Sequence, residues 1–149
     1  MTILVAGGAG YVGSHTVKEL VRGGFDVLVF DNFSTGRREH VKGRPFIQGD
    51  LLDKEAVRTM FRERRIEAVL HFASLIQVGE SYIHPQRYYT QNLSSSLNLL
   101  EAMLKANVKT FIFSSSAAVY GVPQLIPIPE DHPLNPINPY GFTKYFVEQ

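Results

Sequence analysis

The stretch TILVAGGAGYVG at residues 2–13 decides the fold of this chain. Its first part, Thr2–Ala6, is a short apolar run rich in β-branched residues, which predicts a buried strand. The glycines that follow predict a tight turn, because glycine accepts backbone conformations that other residues avoid. Apolar residues at helical spacing from position 12 to position 21, ended by Gly23 and Gly24, then predict a helix.

The rest of the chain repeats this alternation of strand and helix. Further strands are predicted at Val27–Phe30, Pro45–Ile47, Ala68–Phe72 and Thr110–Phe113. One helix is predicted after Asp53, a typical N-cap residue, and residues 121–139, which are rich in proline, are expected to form a loop. A longer helix is expected to carry a stripe that serves as core or as a dimer contact, formed by Leu93, Leu97, Leu100 and Leu104. The alternation predicts an α/β fold: a Rossmann-like, doubly wound parallel sheet with helices on both faces.

Length and composition fit one globular domain over residues 1–149. Hydrophobic residues make up 44% of the 149 positions and charged residues 19%, and the net charge is +1, which does not indicate a nucleic-acid partner. Cysteine is absent, and the five histidines are scattered without metal-ligand spacing, so we expect no disulfide and no metal site. The first residues show neither a signal-peptide pattern nor a long apolar run, so we expect a cytoplasmic protein without a membrane segment.

The glycine turn has the spacing of a dinucleotide-binding site. Gly7 or Gly8, together with Gly10 and Gly13, lets backbone N–H groups approach a pyrophosphate at the start of a helix. Asp31 ends the second predicted strand 18 positions after Gly13, close to the spacing of about 20 expected for an acid that binds the adenosine ribose. A carboxylate there accepts a hydrogen bond from the ribose 2′-hydroxyl and repels a 2′-phosphate, which favours NAD over NADP.

Two other interpretations of this region exist. Arg37 and Arg38 are the counter-argument to NAD, because a nearby arginine can hold a 2′-phosphate. A simple tight turn followed by a capping acid would also produce these residues, but it would not require a strand before the turn and a helix after it.

Tyr140 and Lys144 form a second candidate site at the predicted start of a helix. They are four positions apart and so lie on one helix face. An ammonium near a phenol stabilises the phenolate, so the pair could supply a general base at neutral pH. Taken alone, Tyr140 could equally be an aromatic residue packed on Pro139, and Ser114–Ser116 could be only a polar strand end.

Taken together, these motifs resemble the extended short-chain dehydrogenase/reductases, and within them the nucleotide-sugar epimerases. The resemblance runs along nearly the whole chain and rests on GGAGYVGSHT at 7–16, DNFSTG at 31–36, GDLLD at 49–53, HFAS at 71–74, VGES at 78–81, FSSSAAVYG at 113–121 and NPYGFTK at 138–144. It implies roles for individual residues. The cofactor contacts that it implies are Gly7, Gly10, Tyr11, Val12 and Gly13 at the pyrophosphate, Asp31, Asn32, Phe33, Ser34, Thr35 and Gly36 at the adenosine ribose, Asp50 and Leu51 at adenine, and Phe72, Ala73, Ser74 and Asn92 along the cofactor. The catalytic residues that it implies are Ser116 as hydrogen-bond partner of the sugar 4-oxygen, Tyr140 as proton acceptor and Lys144 as partner of the nicotinamide ribose and of Tyr140.

The resemblance also implies an activity. It is the NAD-dependent, isomerase-type interconversion of UDP-glucose and UDP-galactose through a 4-keto intermediate, a step of galactose metabolism, in a protein that is often a homodimer. Family members continue well beyond this length into a substrate domain. We therefore expect residues 1–149 to be the NAD-binding part, incomplete at the C-terminal end and inactive alone.

Three alternatives remain open. A 4,6-dehydratase or decarboxylase of the same family usually carries acidic residues where this chain has Ala117 and Ala118, which argues against both. A 4-epimerase for pentoses or uronic acids, and an NAD-binding module without turnover, are the other two. The chain also departs from the common family pattern at Ile76, where a lysine is usual, and at Ala118, where a threonine is common.

Overall fold

The computed structural model describes all residues, 1–149, and divides them into two compact units. Unit 1 comprises Met1–Ser74 and Asn98–Ser114, and unit 2 comprises Leu75–Leu97 and Ser115–Gln149. The interpretation of residues 1–149 as one cofactor domain, incomplete at its end, stays a prediction.

Unit 1 contains a five-stranded parallel sheet. The strands are β1 (Thr2–Ala6), β2 (Asp26–Asp31), β3 (Phe46–Gln48), β4 (Ala68–His71) and β5 (Thr110–Phe113), in the order β3-β2-β1-β4-β5. All neighbouring pairs are parallel, and Ala6 is paired with Phe30 on one side and with His71 on the other. The order is that of the Rossmann fold, so the predicted fold class is confirmed. Because of this register, the residues that follow β1, β2 and β4 emerge together at one edge of the sheet.

The helices of the chain are α1 (Tyr11–Arg22), α2 (Lys54–Glu63), α3 (Val78–Ile83), α4 (Pro85–Tyr88), α5 (Ser95–Lys105) and α6 (Pro139–Glu148). Two 3₁₀ helices, Arg38–Val41 and Ala117–Tyr120, and a π-helix, Tyr89–Ser94, complete the regular elements. Asp53 caps α2 as predicted, since its carboxylate accepts from the N–H groups of Glu55 and Ala56. The longest helix has 12 residues, and none is both long and apolar enough to cross a membrane.

Two hydrophobic clusters cover opposite faces of the sheet. Leu4 and Ala6 belong to a cluster with the buried face of α2, whereas Ile3 and Val5 belong to a second cluster with Val17 of α1. Successive strand residues point to opposite faces, so a run of apolar residues such as β1 fills both clusters. This is the physical reason that the first strand has no polar alternation.

The interpretation of the leucine stripe as core is right for Leu100, which packs against the core, and wrong for two other members; the alternative, a dimer contact, stays a prediction. Leu97 is 55% exposed and Leu104 is 80% exposed. The buried face of α5 instead carries Leu99, Ala102 and Met103. Both sets have helical spacing, and the larger number of leucines in the first set made it the stronger signal in the sequence.

The predicted loop between residues 121 and 139 is confirmed, and it has internal anchors within unit 2. The Asn135 N–H donates to the Val119 carbonyl at 2.9 Å. The buried His132 ring accepts, through Nε2, from the N–H of Gln124 at 3.1 Å. The loop is therefore held at both of these points rather than being a simple surface connection.

Candidate functional site

The glycine turn of unit 1 leads directly from β1 into α1. Gly7 has φ of +79° and its N–H donates to the Phe30 carbonyl at 2.8 Å. A Cβ on Gly13 would lie 2.2 Å from the Gly7 carbonyl oxygen, so only glycine fits there. Gly10 is the N-cap of α1 and provides no side-chain cap. The first N–H groups of α1 are thus left without a side-chain acceptor, which is the arrangement that binds anions at helix N-termini.

Asp31 joins this turn to the end of β2. Its buried carboxylate accepts from the Ala9 N–H at 2.9 Å through Oδ2 and from the Phe33 N–H at 2.8 Å through Oδ1. An ionised carboxylate has about four acceptor positions, so two bonds leave capacity for a ribose hydroxyl. The structure therefore places Asp31 beside the glycine turn, and its role toward a ribose stays a prediction.

The loops after β2 and β3 are tied together by polar side chains. The Asn32 amide donates to Asp50 Oδ2 at 3.1 Å, and its oxygen accepts from the Ser34 N–H at 2.9 Å. Asp50 Oδ1 also accepts from the N–H of Leu52. The side chain of Leu51, in contrast, is part of the hydrophobic core. Asn32 and Asp50 are brought together, as expected for residues that meet the same end of a cofactor.

The guanidinium of Arg38 stacks on aromatic rings in this region. Its guanidinium lies 4.7 Å from the centre of the Phe33 ring and 5.7 Å from that of Phe46, and it donates to the Gln48 side chain. Phe33 itself has φ of +58°, which is rare for a bulky residue. Stacking and hydrogen bonding therefore direct Arg38 toward β3, and this weakens its case as a ligand for a 2′-phosphate.

The other cofactor residues predicted in unit 1 follow the strand ends or the helix start. Phe72 and Ala73 both donate their N–H groups to the Ala6 carbonyl, at 2.8 and 3.1 Å. A Cβ on Gly7 would meet the Ala73 nitrogen at 2.5 Å, so the turn packs on the segment that continues through Ala73 to Ser74. The remaining predicted residues are Tyr11 and Val12, exposed on the first turn of α1, Ser34 and Thr35, exposed after β2, and Gly36, against Ala9.

In unit 2, the start of α6 presents Tyr140. Asn138 is the N-cap and accepts from the Gly141 N–H at 2.7 Å, and Pro139 occupies the first helical position. Gly141 allows close packing, because a Cβ there would lie 2.7 Å from the Ala118 carbonyl oxygen. This contact brings the start of α6 against the 3₁₀ helix that follows Ser116.

Tyr140 and Lys144 share a buried face of α6. Lys144 is only 3% exposed, and its Nζ lies 5.9 Å from the centre of the Tyr140 ring. The phenol oxygen forms no hydrogen bond within the chain. Burial lowers the pKa of Lys144 from 10.5 to about 8, because desolvation disfavours the charged ammonium. At neutral pH the side chain is still mostly protonated and places a positive charge near the phenol.

Ser116 caps the 3₁₀ helix Ala117–Tyr120. Its hydroxyl oxygen accepts from the Ala118 N–H at 3.2 Å. The hydroxyl donates to no acceptor in the protein, and a serine hydroxyl has one hydrogen to donate. That hydrogen is therefore available to an oxygen atom of a ligand.

Asn92 lies in the π-helix, and its amide is engaged inside unit 2. Its oxygen accepts from the Leu75 N–H at 2.8 Å, and its nitrogen donates to the Leu75 carbonyl and to Thr143 Oγ1, each at 3.0 Å. Thr143, which is fully buried, in turn donates to the Tyr140 carbonyl at 2.7 Å. The predicted contact of Asn92 with a cofactor remains a prediction, and the visible contacts make it a link between the π-helix and α6.

Sequence reasoning missed Thr143 and Gly141. Both lie inside the quoted motif NPYGFTK, so their positions were visible in the sequence. Their partners were not, because Asn92 is 51 positions away from Thr143.

The chain departs from the family pattern at Ile76 and Ala118. Ile76 is 68% exposed, and the Ala118 backbone contacts Ser116 and Gly141.

These features define a Rossmann-like α/β protein with a glycine turn, an acid after the second strand and a Tyr-x-x-x-Lys helix start. The chain belongs to the NAD dependent epimerase/dehydratase family, whose profile matches residues 3–149.

Several similar proteins of known sequence or structure are named UDP-glucose 4-epimerase. The UDP-glucose 4-epimerase of Lactobacillus helveticus is 52% identical over 150 residues, and that of Bacillus subtilis (strain 168) is 51% identical over 157 residues. Each match covers 100% of this chain and 46% of the relative. A crystal structure of UDP-glucose 4-epimerase from Bifidobacterium longum in complex with NAD+ and UDP has a TM-score of 0.97 at 43% identity, over 100% of this chain and 47% of that one. The chain thus spans less than half the length of these relatives.

The link between Asn92 and Thr143 predicts a difference between two substitutions. Thr143→Val keeps the shape but leaves one of the two N–H groups of the buried Asn92 amide without its acceptor, and we expect a loss of about 2 kcal/mol in the free energy of unfolding. Thr143→Ser keeps the hydroxyl and loses one methyl group, for about 1 kcal/mol. Urea unfolding followed by circular dichroism measures both, and a valine variant as stable as the wild type would contradict the link.

The burial of Lys144 predicts a pH-dependent stability. With a pKa of about 8 in the folded protein against 10.5 ordinarily, the unfolded chain binds more protons between these values. Stability from this group therefore rises as the pH increases from 8 to 10.5, by about 3 kcal/mol in all. Lys144→Met removes the titrating group, so the difference in unfolding free energy between variant and wild type should change over that range. Parallel pH profiles for the two proteins would refute the assignment.

Proposed function

We propose that the protein carrying this sequence is an NAD-dependent nucleotide-sugar 4-epimerase that interconverts UDP-glucose and UDP-galactose. The observation that carries the proposal is the pairing of Tyr140 and Lys144 on one buried face of α6, with a phenol oxygen that has no partner in the chain. The family membership and the name of the relatives described above support it. The substrate is inferred from those relatives, which are about twice as long as this chain.

The residues of unit 1 fit the cofactor. The cradle at Gly13 has no room for a side chain, and the first turn of α1 has no side-chain cap, so a pyrophosphate oxygen would find backbone N–H donors there. Asp31 would accept from the adenosine ribose, and Asn32 and Asp50 would bound the adenine end. When bound, NAD supplies the hydride acceptor and donor at C4 of the sugar.

The residues of unit 2 would handle the proton and the sugar oxygen. Tyr140 as phenolate would take the proton of the 4-hydroxyl and return it after the 4-keto sugar has turned. Lys144, as an ammonium in a buried place, would stabilise the phenolate. Ser116 would donate its unused hydroxyl hydrogen to the sugar 4-oxygen, because its lone pair already caps the 3₁₀ helix.

The preference for NAD over NADP follows from charge. Asp31 presents a buried carboxylate at the turn, and a 2′-phosphate placed near it would be repelled. Of the two arginines that could offset this repulsion, Arg37 and Arg38, the second is stacked on Phe33 and bonded to Gln48. Both observations support NAD.

The decisive experiment uses a chain of the same length as the relatives. Residues 1–149 would be joined to the C-terminal remainder of the Bacillus subtilis relative and incubated with NAD and with UDP-glucose, UDP-N-acetylglucosamine, UDP-arabinose or UDP-glucuronate. Inversion at C4, followed by NMR, is expected for UDP-glucose. A 4-keto-6-deoxy product would indicate a dehydratase, loss of carbon dioxide from UDP-glucuronate a decarboxylase, and bound NAD without product a binding module. The 149-residue chain measured in parallel tests the expectation that it is inactive alone.

Replacing Tyr140 by phenylalanine in the same chimera removes only the phenol oxygen. We expect inversion to fall by about 100-fold or more, the contribution typical of a general acid–base group, while NAD stays bound. Retained activity would show that another group moves the proton.

We also propose a cytoplasmic homodimer. NAD and UDP-sugars are made inside the cell, and α5 exposes Leu97 and Leu104 while α6 exposes Phe146. Leu97 and Leu104, with the partly buried Leu100 between them, lie on one face of α5, and a contiguous apolar patch of this kind is typical of contact surfaces. Sedimentation velocity of the chimera should show a dimer that Leu104→Glu shifts toward monomer, and the matched control Ile126→Glu, in an exposed loop position, should not. A dimer unaffected by Leu104→Glu would exclude α5 from the contact.

A further inference from the structure

The glycine turn has a second anchor, which comes from the short helix Arg38–Val41. Nδ1 of His40 lies 2.8 Å from the carbonyl oxygen of Ala9. The Arg37 N–H donates to the same oxygen at 3.1 Å. Ala9 is completely buried, and a buried carbonyl depends on such partners because water cannot replace them.

The contact with a carbonyl oxygen determines which nitrogen of the His40 ring carries a hydrogen. A carbonyl oxygen can only accept, so Nδ1 of His40 must carry the hydrogen. The neutral ring with its hydrogen on Nδ1 satisfies this, and so does the imidazolium, whereas the neutral ring with its hydrogen on Nε2 does not. The contact therefore selects one of the two neutral tautomers.

His40 and Asp31 bind the two backbone polar groups of Ala9 in the turn. Asp31 accepts from the N–H of Ala9 at 2.9 Å, and His40 donates to the carbonyl of Ala9. The Ala9 carbonyl belongs to the peptide that leads into Gly10, the N-cap of α1. A Cβ on Gly36 would lie 2.8 Å from Cβ of Ala9, so the segment that carries His40 approaches the turn closely.

We propose that His40 is a positioning residue for the cofactor, which orients the Ala9–Gly10 peptide and with it the N–H groups that meet the pyrophosphate. That the ligand is NAD rests on the function proposed above. The hydrogen bond and its effect on the turn are independent of that function. His40 itself makes no contact with the ligand in this scheme. His40 strengthens binding because it orders the turn before the ligand binds, and an ordered turn loses less entropy on binding.

The test uses the chimera described above for NAD binding and the 149-residue chain for NMR, each with two substitutions and a control. His40→Asn places an amide nitrogen at the same δ position and keeps the donor, whereas His40→Leu removes it. Glu39→Leu alters an exposed neighbour in the same short helix, whose side chain has no hydrogen bond or ion pair. Three quantities are measured: the tautomer of His40 by long-range ¹H–¹⁵N NMR in the wild type, the exchange rate of the Gly10 amide, and the dissociation constant for NAD.

We expect the Nδ1–H form in the wild type at pH values where the ring is neutral. His40→Leu should exchange the Gly10 amide faster and bind NAD more weakly, each by about fivefold, the size of one net hydrogen bond. The remaining bond from Arg37 limits the loss. His40→Asn and Glu39→Leu should behave like the wild type.

Two results would overturn the proposal: an Nε2–H tautomer in the wild type, or equal Gly10 exchange in the leucine and asparagine variants. Failure of the wild type to bind NAD would count against the proposed function of the chain, while the tautomer and the exchange rates would still decide the role of His40. If the leucine variant does not fold, the tautomer of the wild type and the exchange rates of the asparagine variant still give the answer.

Discussion

The contact between Gly13 and the carbonyl oxygen of Gly7 is the constraint on which the rest of unit 1 depends. It allows α1 to start directly against the end of β1, because no side chain separates the helix from the turn. The parallel register then brings the ends of β2 and β4 to the same edge of the sheet. Asp31 and the segment from Phe72 to Ser74 reach the turn for this reason, so the close backbone approach and the sheet register together bring these residues to the glycine turn.

The features that could be predicted from sequence are those that depend on neighbours along the chain. The glycine turn, the Asp53 cap and the pairing of Tyr140 with Lys144 each follow from local geometry and spacing, and the order of elements follows from their alternation. Asp31 could be located by counting from Gly13, because a helix and a strand of ordinary length separate the two. The leucine stripe failed in part for a related reason: α5 carries apolar residues on two faces, and only tertiary packing chooses which face is buried.

The features that could not be predicted depend on partners far apart in the chain. Thr143 and Asn92 are 51 positions apart, and His40 and Ala9 are 31 apart. Neither pair has a signature in the sequence, because threonine, asparagine and histidine occur as often at surfaces. The burial of Lys144 was also invisible, since a lysine four residues after a tyrosine is compatible with an exposed helix face. Only the fold shows that its charge is held away from water.

The double use of the Asp31 carboxylate has an evolutionary consequence. The same side chain holds the Ala9 N–H, orients the residues after β2 and supplies the negative charge that would discriminate between cofactors. A lineage that changed its cofactor by replacing this acid would lose one buried and one partly buried hydrogen bond in the same step. The first mutation toward a phosphorylated cofactor would therefore be selected against through folding before any gain in binding could be realised. Compensating changes around the turn would have to arise first, which makes cofactor choice a slowly evolving trait in a chain built this way.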